Sequence, residues 1–171
     1  MFKPMRRAAQ ALPASEAEAI LAQGSAGVLA LAGDDGYPYA LPMSYVYADG
    51  VLYFHSAIRG HKIDAIARDN RASFCVIAAD DVVPEHFTTR YRSVIAFGRI
   101  HMMDNPDEIR AALRKLAGKY APAVNPARTE AEIARSFADG CTPVVCILAL
   151  MVEHLSGKEG RELAEERKMA P

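Results

Sequence analysis

A hydroxyl group, a glycine and a basic pair follow one another where an apolar stretch of the chain ends. The stretch runs from Leu52 to His55, and Ser56, Gly60, His61 and Lys62 come after it. A glycine lets the backbone approach a ligand, and the hydroxyl and the lysine offer hydrogen bonds and charge, so this turn could hold a phosphate group. Histidine is largely neutral at pH 7, which leaves most of the charge to Lys62. The simpler alternative is that the glycine and the basic pair only begin a surface helix.

The segment before this turn supplies a second group of candidates. Pro42, Met43, Ser44 and Tyr45 lie on the predicted neighbouring strand, where main-chain groups could face a flat ring. A flavin mononucleotide (FMN) needs cations and donors for its phosphate, a partly apolar shelf for its isoalloxazine ring, and hydrogen bonds for the polar ring edge. The two segments are compatible with such a site.

Alternating hydrophobic residues and turn signals predict the elements that position these residues. Six strands are expected, at 27–32, 38–47, 51–55, 72–78, 88–103 and 144–155, with Gly98 marking a bulge. Helices are expected from a capping box at Ser15 to Gly24, at 63–67, from Asn105 to about 119, and from Thr129 to about 140. The pattern predicts a mainly β chain with peripheral helices, built on a six-stranded antiparallel barrel. We expect one domain over 1–171, with an N-terminal arm (1–14) and a charged C-terminal tail (159–171).

The amino-acid composition indicates which kinds of molecule the protein could bind. The chain is 51% hydrophobic and 24% charged, and its net charge of −1 argues against broad binding to nucleic acid. Its longest apolar run is too short to span a bilayer as a helix. Cys75, Cys141 and Cys146 cannot all pair within one chain, which favours a reducing, cytoplasmic location. The histidines and cysteines lack the spacing of a metal site. We therefore expect a small-molecule partner, without metal, membrane or nucleic acid.

Four blocks of the sequence carry a family resemblance: 36–45, 52–57, 60–62 and 93–98. In their order and spacing they resemble the pyridoxamine 5′-phosphate oxidase-like flavoproteins, and within them the nitroimidazole-reductase (Nim-type) branch. The resemblance runs from about Met5 to Lys158. It implies a split β-barrel that forms a homodimer and binds FMN in a groove at the subunit interface.

The resemblance also assigns roles to residues. It places Pro42, Met43, Ser44 and Tyr45 along the isoalloxazine, Phe54, His55, Ser56 and Ala57 beside the ring and ribityl chain, and His61 and Lys62, after Gly60, at the phosphate. Ser93 falls where the oxidases carry a glutamine near the flavin, and Lys158 could reach a neighbouring FMN. The oxidases' C-terminal tryptophan and arginine have no counterpart, since the chain contains no Trp. This departure argues against oxidation of pyridoxamine phosphate.

His55 is the candidate catalytic residue. In Nim-type proteins the matching histidine sits beside the flavin, where an imidazole could donate a proton to a substrate that accepts hydride. The alternative is a histidine at a strand end that is satisfied by a backbone carbonyl. The resulting hypothesis is an FMN-dependent reductase of small molecules such as nitroaromatic or nitroimidazole compounds, with NAD(P)H as a transient electron donor. The alternative hypothesis is a non-enzymatic protein that binds, stores or senses FMN, haem or a deazaflavin.

Overall fold

A seven-stranded antiparallel sheet forms the body of the protein in the computed structural model, which describes residues 2–169. Its strands are β1 (Ala26–Ala32), β2 (Pro38–Ser44), β3 (Val46–Ala48), β4 (Val51–Ser56), β5 (Arg71–Val83), β6 (Thr88–Met102) and β9 (Cys146–Glu159). Two short strands, β7 (Phe137–Ala138) and β8 (Thr142–Pro143), pair separately. The helices are α1 (Ala14–Gln23), α2 (His61–Arg68), α3 (Pro106–Tyr120), α4 (Pro126–Arg135) and α5 (Arg161–Met169).

The order of the strands brings both edges of the sheet to one segment of the chain. Hydrogen bonding runs β2-β1-β5-β6-β9-β4-β3, so the edge strands β2 and β3 are consecutive in the chain and meet at Tyr45. This arrangement is consistent with a split barrel. The sequence predicted six strands, but the predicted second strand is divided at Tyr45. Its N–H donates to the Tyr120 hydroxyl at 2.8 Å, and that hydroxyl lies 2.7 Å from the Tyr45 carbonyl, so Tyr45 leaves the strand ladder.

Local signals set several element boundaries, although not always those predicted. The Asn105 side chain accepts hydrogen bonds from the first turn of α3, and the register between β6 and β9 shifts at Gly98, which confirms both predictions. A side chain at Gly98 would collide with the Met151 carbonyl. The capping box at Ser15 is wrong, because α1 begins at Ala14 without a side-chain cap. The predicted start at Thr129 is also wrong, because Asn125 caps α4 and Pro126 occupies its first position.

Two hydrophobic clusters stabilise this arrangement. One fills the inner face of the sheet and includes Leu29, Leu52, Phe54 and Phe74. The other packs α3 and α4 against the outer face through Ile109, Leu116, Ile133, Phe137 and Ile147. Burial of apolar side chains on both faces holds the two helices over β4. The helix pair thus covers a space beside β4.

The C-terminal tail is a helix held by a buried carboxylate. Glu159 is fully buried, and its two oxygens accept from Arg92 at 2.8 Å and from Arg167 at 2.7 Å. These two ion pairs offset the cost of burying the Glu159 charge. Between residues 2 and 169, no helix is long and apolar enough to cross a membrane.

Candidate functional site

Ser56 and Lys62 are joined by a hydrogen bond at the end of β4. The Lys62 ammonium group donates to the Ser56 hydroxyl at 2.7 Å, and this hydroxyl donates to the Ala57 carbonyl at 3.0 Å. Ser56 is buried and Lys62 is half-buried. No carboxylate among the described residues pairs with Lys62. A partly desolvated ammonium group with unused donors is suited to bind an anion.

Gly60 places the start of α2 at the same point. Its φ of 121° is a conformation that side chains disfavour, and the space where a side chain would point holds no atom within 4 Å. The Gly60 carbonyl accepts from the N–H groups of Ile63 and Asp64 at 2.8 and 3.2 Å. The preceding N–H groups of α2 have no partner within the helix, as at any helix N-terminus, and there they favour anions. We call Ser56, Gly60 and Lys62 the clamp.

The His61 side chain is directed away from Lys62. Its Nε2 lies 2.9 Å from an Asp34 oxygen, and its ring stacks on Tyr39 with 4.2 Å between centroids. Arg68 also hydrogen bonds Asp34, and this contact is the main cause that lowers the pKa of Asp34. The imidazole is therefore engaged by Asp34, and the positive charge of the clamp comes from Lys62. The sequence analysis missed Asp34, which lies far from the turn along the chain.

A cavity of about 810 Å³ lies between the sheet and the helices α3 and α4, and none of the three clamp residues lines it. From the sheet, it is lined by Pro42, Met43, Ser44 and His55. Apolar residues dominate the helix side, namely Leu113, Leu116, Ala117, Ala121, Val124 and Ile133. Arg128, Thr129 and Glu132 add polar groups. Its size and its mixture of an apolar wall with a few polar groups are typical of sites for small molecules.

His55 lines the cavity and immediately precedes Ser56 of the clamp on β4. Its side chain is exposed in the cavity wall, and its imidazole hydrogen bonds no other described residue. Successive residues of a strand point to opposite faces, so His55 faces the helices while Ser56 faces inward toward Lys62. The backbone carbonyl that would make His55 a purely structural residue is not observed within residues 2–169.

The other predicted site residues outside the clamp do not line the cavity. Phe54 and Tyr45 are fully buried in the inner cluster, where the Tyr45 hydroxyl donates to the Leu21 carbonyl at 2.7 Å and burial raises the pKa of Tyr45. Ala57 is exposed in the turn after β4. Ser93 and Lys158 are cross-strand partners on β6 and β9, and neither lines the cavity.

The helical wall of the cavity was not identified from the sequence. Its signal was present in α3, where Leu113, Leu116, Ala117 and Tyr120 recur at helical spacing. Such a stripe shows that a helix face is covered, but not which surface covers it. Only the packing of α3 on the sheet turns these residues toward His55.

Comparisons with known proteins agree with this architecture. A family model described as pyridoxamine 5′-phosphate oxidase matches residues 13–158, which is most of the chain. A putative 5-nitroimidazole antibiotic resistance protein from Bacteroides thetaiotaomicron is 23% identical, with a TM-score of 0.73 over 87% of this chain and 86% of that one. A conserved hypothetical protein from Mycobacterium tuberculosis is 18% identical, with a TM-score of 0.77 over 94% and 92%.

A FAD and heme binding protein from Mycobacterium smegmatis is 22% identical, with a TM-score of 0.69 over 89% of this chain and 73% of that one. At these identities the likeness shows the fold. No curated protein matches the chain. The extent of the family match is decisive, and the chain belongs to the pyridoxamine 5′-phosphate oxidase family.

Proposed function

We propose that this member of the pyridoxamine 5′-phosphate oxidase family binds FMN and uses it to reduce small organic molecules such as nitroaromatic compounds. The phosphate would bind at the clamp, and the isoalloxazine would lie against Pro42, Met43 and Ser44 at the mouth of the cavity. The observation that carries the proposal is the Lys62–Ser56 hydrogen bond of 2.7 Å, one residue along β4 from His55. His55 lines a cavity of the size that a ring system needs, and its neighbour Ser56 belongs to the clamp.

The charge of the clamp favours FMN over a dinucleotide. Lys62 and the start of α2 supply one ammonium group and a few N–H donors, which suit a single phosphate. The His61 imidazole contacts Asp34 and not the clamp. A diphosphate would need more than one cation, and Lys62 is the one cation of the clamp. We therefore propose a monophosphate, FMN, as the ligand.

His55 would act on the substrate. Bound FMN would supply the reducing electrons, and the residues of this chain would position the acceptor. The apolar side chains of α3 and α4 suit a flat, uncharged ring. The exposed imidazole of His55 can donate a proton or a hydrogen bond to an acceptor atom in the cavity. NADH or NADPH would enter the same cavity as a transient donor.

A homodimer would complete the site. Ser93 and Lys158 lie opposite each other on the outer face of the sheet, and Ile77 is the partner of Ser93 on β5. On the same face Ile77 is 66% exposed, and Val28 and Ile95 are also exposed. A patch of exposed β-branched residues is typical of a surface that another chain covers. Association through this face would carry Ser93 and Lys158 toward a second copy of the flavin site.

The test begins with the absorption spectrum of the purified protein, followed by release and mass identification of the chromophore. We expect a flavin spectrum and FMN, bleaching by NADH or NADPH without oxygen, and recovery of the colour when a nitroaromatic compound is added. A protein that stays colourless and does not take up added FMN would refute the proposal. A haem or deazaflavin spectrum would refute the assignment to FMN, and bleaching without recovery would favour a binding protein.

A further inference from the structure

A second cleft lies outside the flavin site, between the N-terminal arm, the hairpin of β5 and β6, and the start of α5. Its volume is about 790 Å³. Its charged lining consists of Arg6, Arg7, Arg90, Arg161 and Glu162, and we call it the arginine cleft. Such an excess of arginine is notable in a chain whose net charge is −1. Positive charge outweighs the single carboxylate of this lining, and such clefts concentrate anionic ligands.

Three of the four arginines are available to a ligand. Arg90 is occupied, because its guanidinium makes two hydrogen bonds of 2.8 and 2.7 Å to Glu166. Arg161 has only a contact of 3.7 Å with Glu165, and both side chains are mostly exposed, so the pair is weak. Arg6 and Arg7 form no ion pair within the described chain. Planar guanidinium groups that lack a carboxylate are well suited to phosphate oxygens.

The lining also contains a buried amide whose oxygen has no partner. Gln10 lines the cleft with 8% of its surface exposed, and its Oε1 accepts no hydrogen bond from any described residue. Buried polar atoms are nearly always hydrogen bonded, because leaving one unpaired is costly. The oxygen has almost no surface open to the cleft, so a ligand would reach it only after the side chain rotates.

Two further features indicate the shape of that occupant. Phe87 lines the cleft and is 99% exposed, which leaves both faces of its ring free to stack on a flat ligand. Gly160 and Arg161 bring the N-terminus of α5, a helix of nine residues, to the cleft wall, where its dipole favours an anion. The volume exceeds what inorganic phosphate alone would fill.

We propose that the arginine cleft binds a nucleoside diphosphate. Its phosphates would contact Arg6, Arg7 and Arg161, and its base would stack on Phe87. The diphosphate needs the several cations that the clamp lacks. No residue of this cleft belongs to the clamp or lines the cavity beside His55, so the proposal does not depend on the function proposed for them.

Isothermal titration of the purified full-length protein with ADP tests the site, with the flavin absorbance followed in parallel. We expect saturable binding without a change in that absorbance. The double variant Arg7→Ala/Arg161→Ala should weaken ADP binding at least tenfold. Arg135→Ala is the matched control, because Arg135 is an exposed arginine on α4 that pairs with Glu132 and lies outside the cleft. This variant should bind ADP as the wild type does.

Two further ligands separate the parts of the proposal. Adenosine should not bind measurably, and pyrophosphate should bind at least threefold more weakly than ADP, a difference that Phe87→Ala should abolish. The proposal is overturned if ADP does not bind, if the double variant binds ADP like Arg135→Ala while its thermal unfolding matches that of the wild type, or if ADP displaces the flavin. Equal affinities for pyrophosphate and ADP would overturn the nucleoside part.

Discussion

Replacing Lys62 with alanine should weaken the binding of FMN without unfolding the protein. The ammonium group is half-buried and hydrogen bonds Ser56 at 2.7 Å, so a phosphate at the clamp would meet a charge that solvent screens only in part. A hydrogen bond to such a charged group contributes about 1.5–3 kcal/mol. The dissociation constant of FMN should therefore rise by about 10- to 150-fold. Removing the side chain leaves the Ser56 hydroxyl its bond to the Ala57 carbonyl, so the fold should tolerate the change.

Quenching of flavin fluorescence during titration of the apoprotein measures this effect. Riboflavin is the ligand control, because it has the same ring but no phosphate, and its affinity should be the same for the wild type and Lys62→Ala. Lys168→Ala is the protein control, since it removes a positive charge from an exposed position on α5. An unchanged FMN affinity, or an equal loss for FMN and riboflavin, would show that Lys62 does not contact the phosphate.

Three other predictions concern catalysis and stability. His55→Ala should retain FMN but slow reoxidation by a nitroaromatic compound at least tenfold, measured by stopped flow, and full activity would make His55 structural. Glu159→Gln should destabilise the fold by about 2–4 kcal/mol in urea unfolding, because Arg92 and Arg167 lose a buried carboxylate; an unchanged midpoint contradicts this. Burial raises the pKa of Tyr45, so the stability that its neutral form provides is present below about pH 10 and lost above it. Tyr45→Phe should flatten that alkaline loss, and an unaltered profile would refute it.

Much of the fold was predictable because its signals are local. Asn105 with Pro106 marks the start of α3, and Gly98 marks a bulge where a neighbouring carbonyl leaves no room for a side chain. The same Asn-Pro signal occurs at Asn125 and Pro126, and it prevails over the predicted cap at Thr129. The division of the second strand at Tyr45 was not predictable, because its hydrogen-bond partner lies 75 residues away.

In the candidate site, too, some residues could be predicted from local sequence and others could not. The clamp is contained in seven consecutive residues, so its hydroxyl, glycine and lysine could be identified from their spacing. Asp34 and the α3–α4 wall belong to the site only through tertiary packing, which no periodicity specifies. His55 could be named from the sequence, but the direction of its side chain depends on which face of β4 the helices cover.

The contact of Tyr120 with Tyr45 has a consequence for how ligands enter and leave. The Tyr120 ring also lines the cavity, so the last turn of α3 is fastened to the point where the sheet changes edge. Moving the end of α3 away from the sheet would break the hydrogen bonds to the backbone of Tyr45, which is fully buried. By contrast, α4 is joined to α3 by a short connection, and its cavity-facing Arg128 and Glu132 are exposed. Substrate and product should therefore enter and leave between α4 and the sheet, while Tyr120 keeps the end of α3 in place.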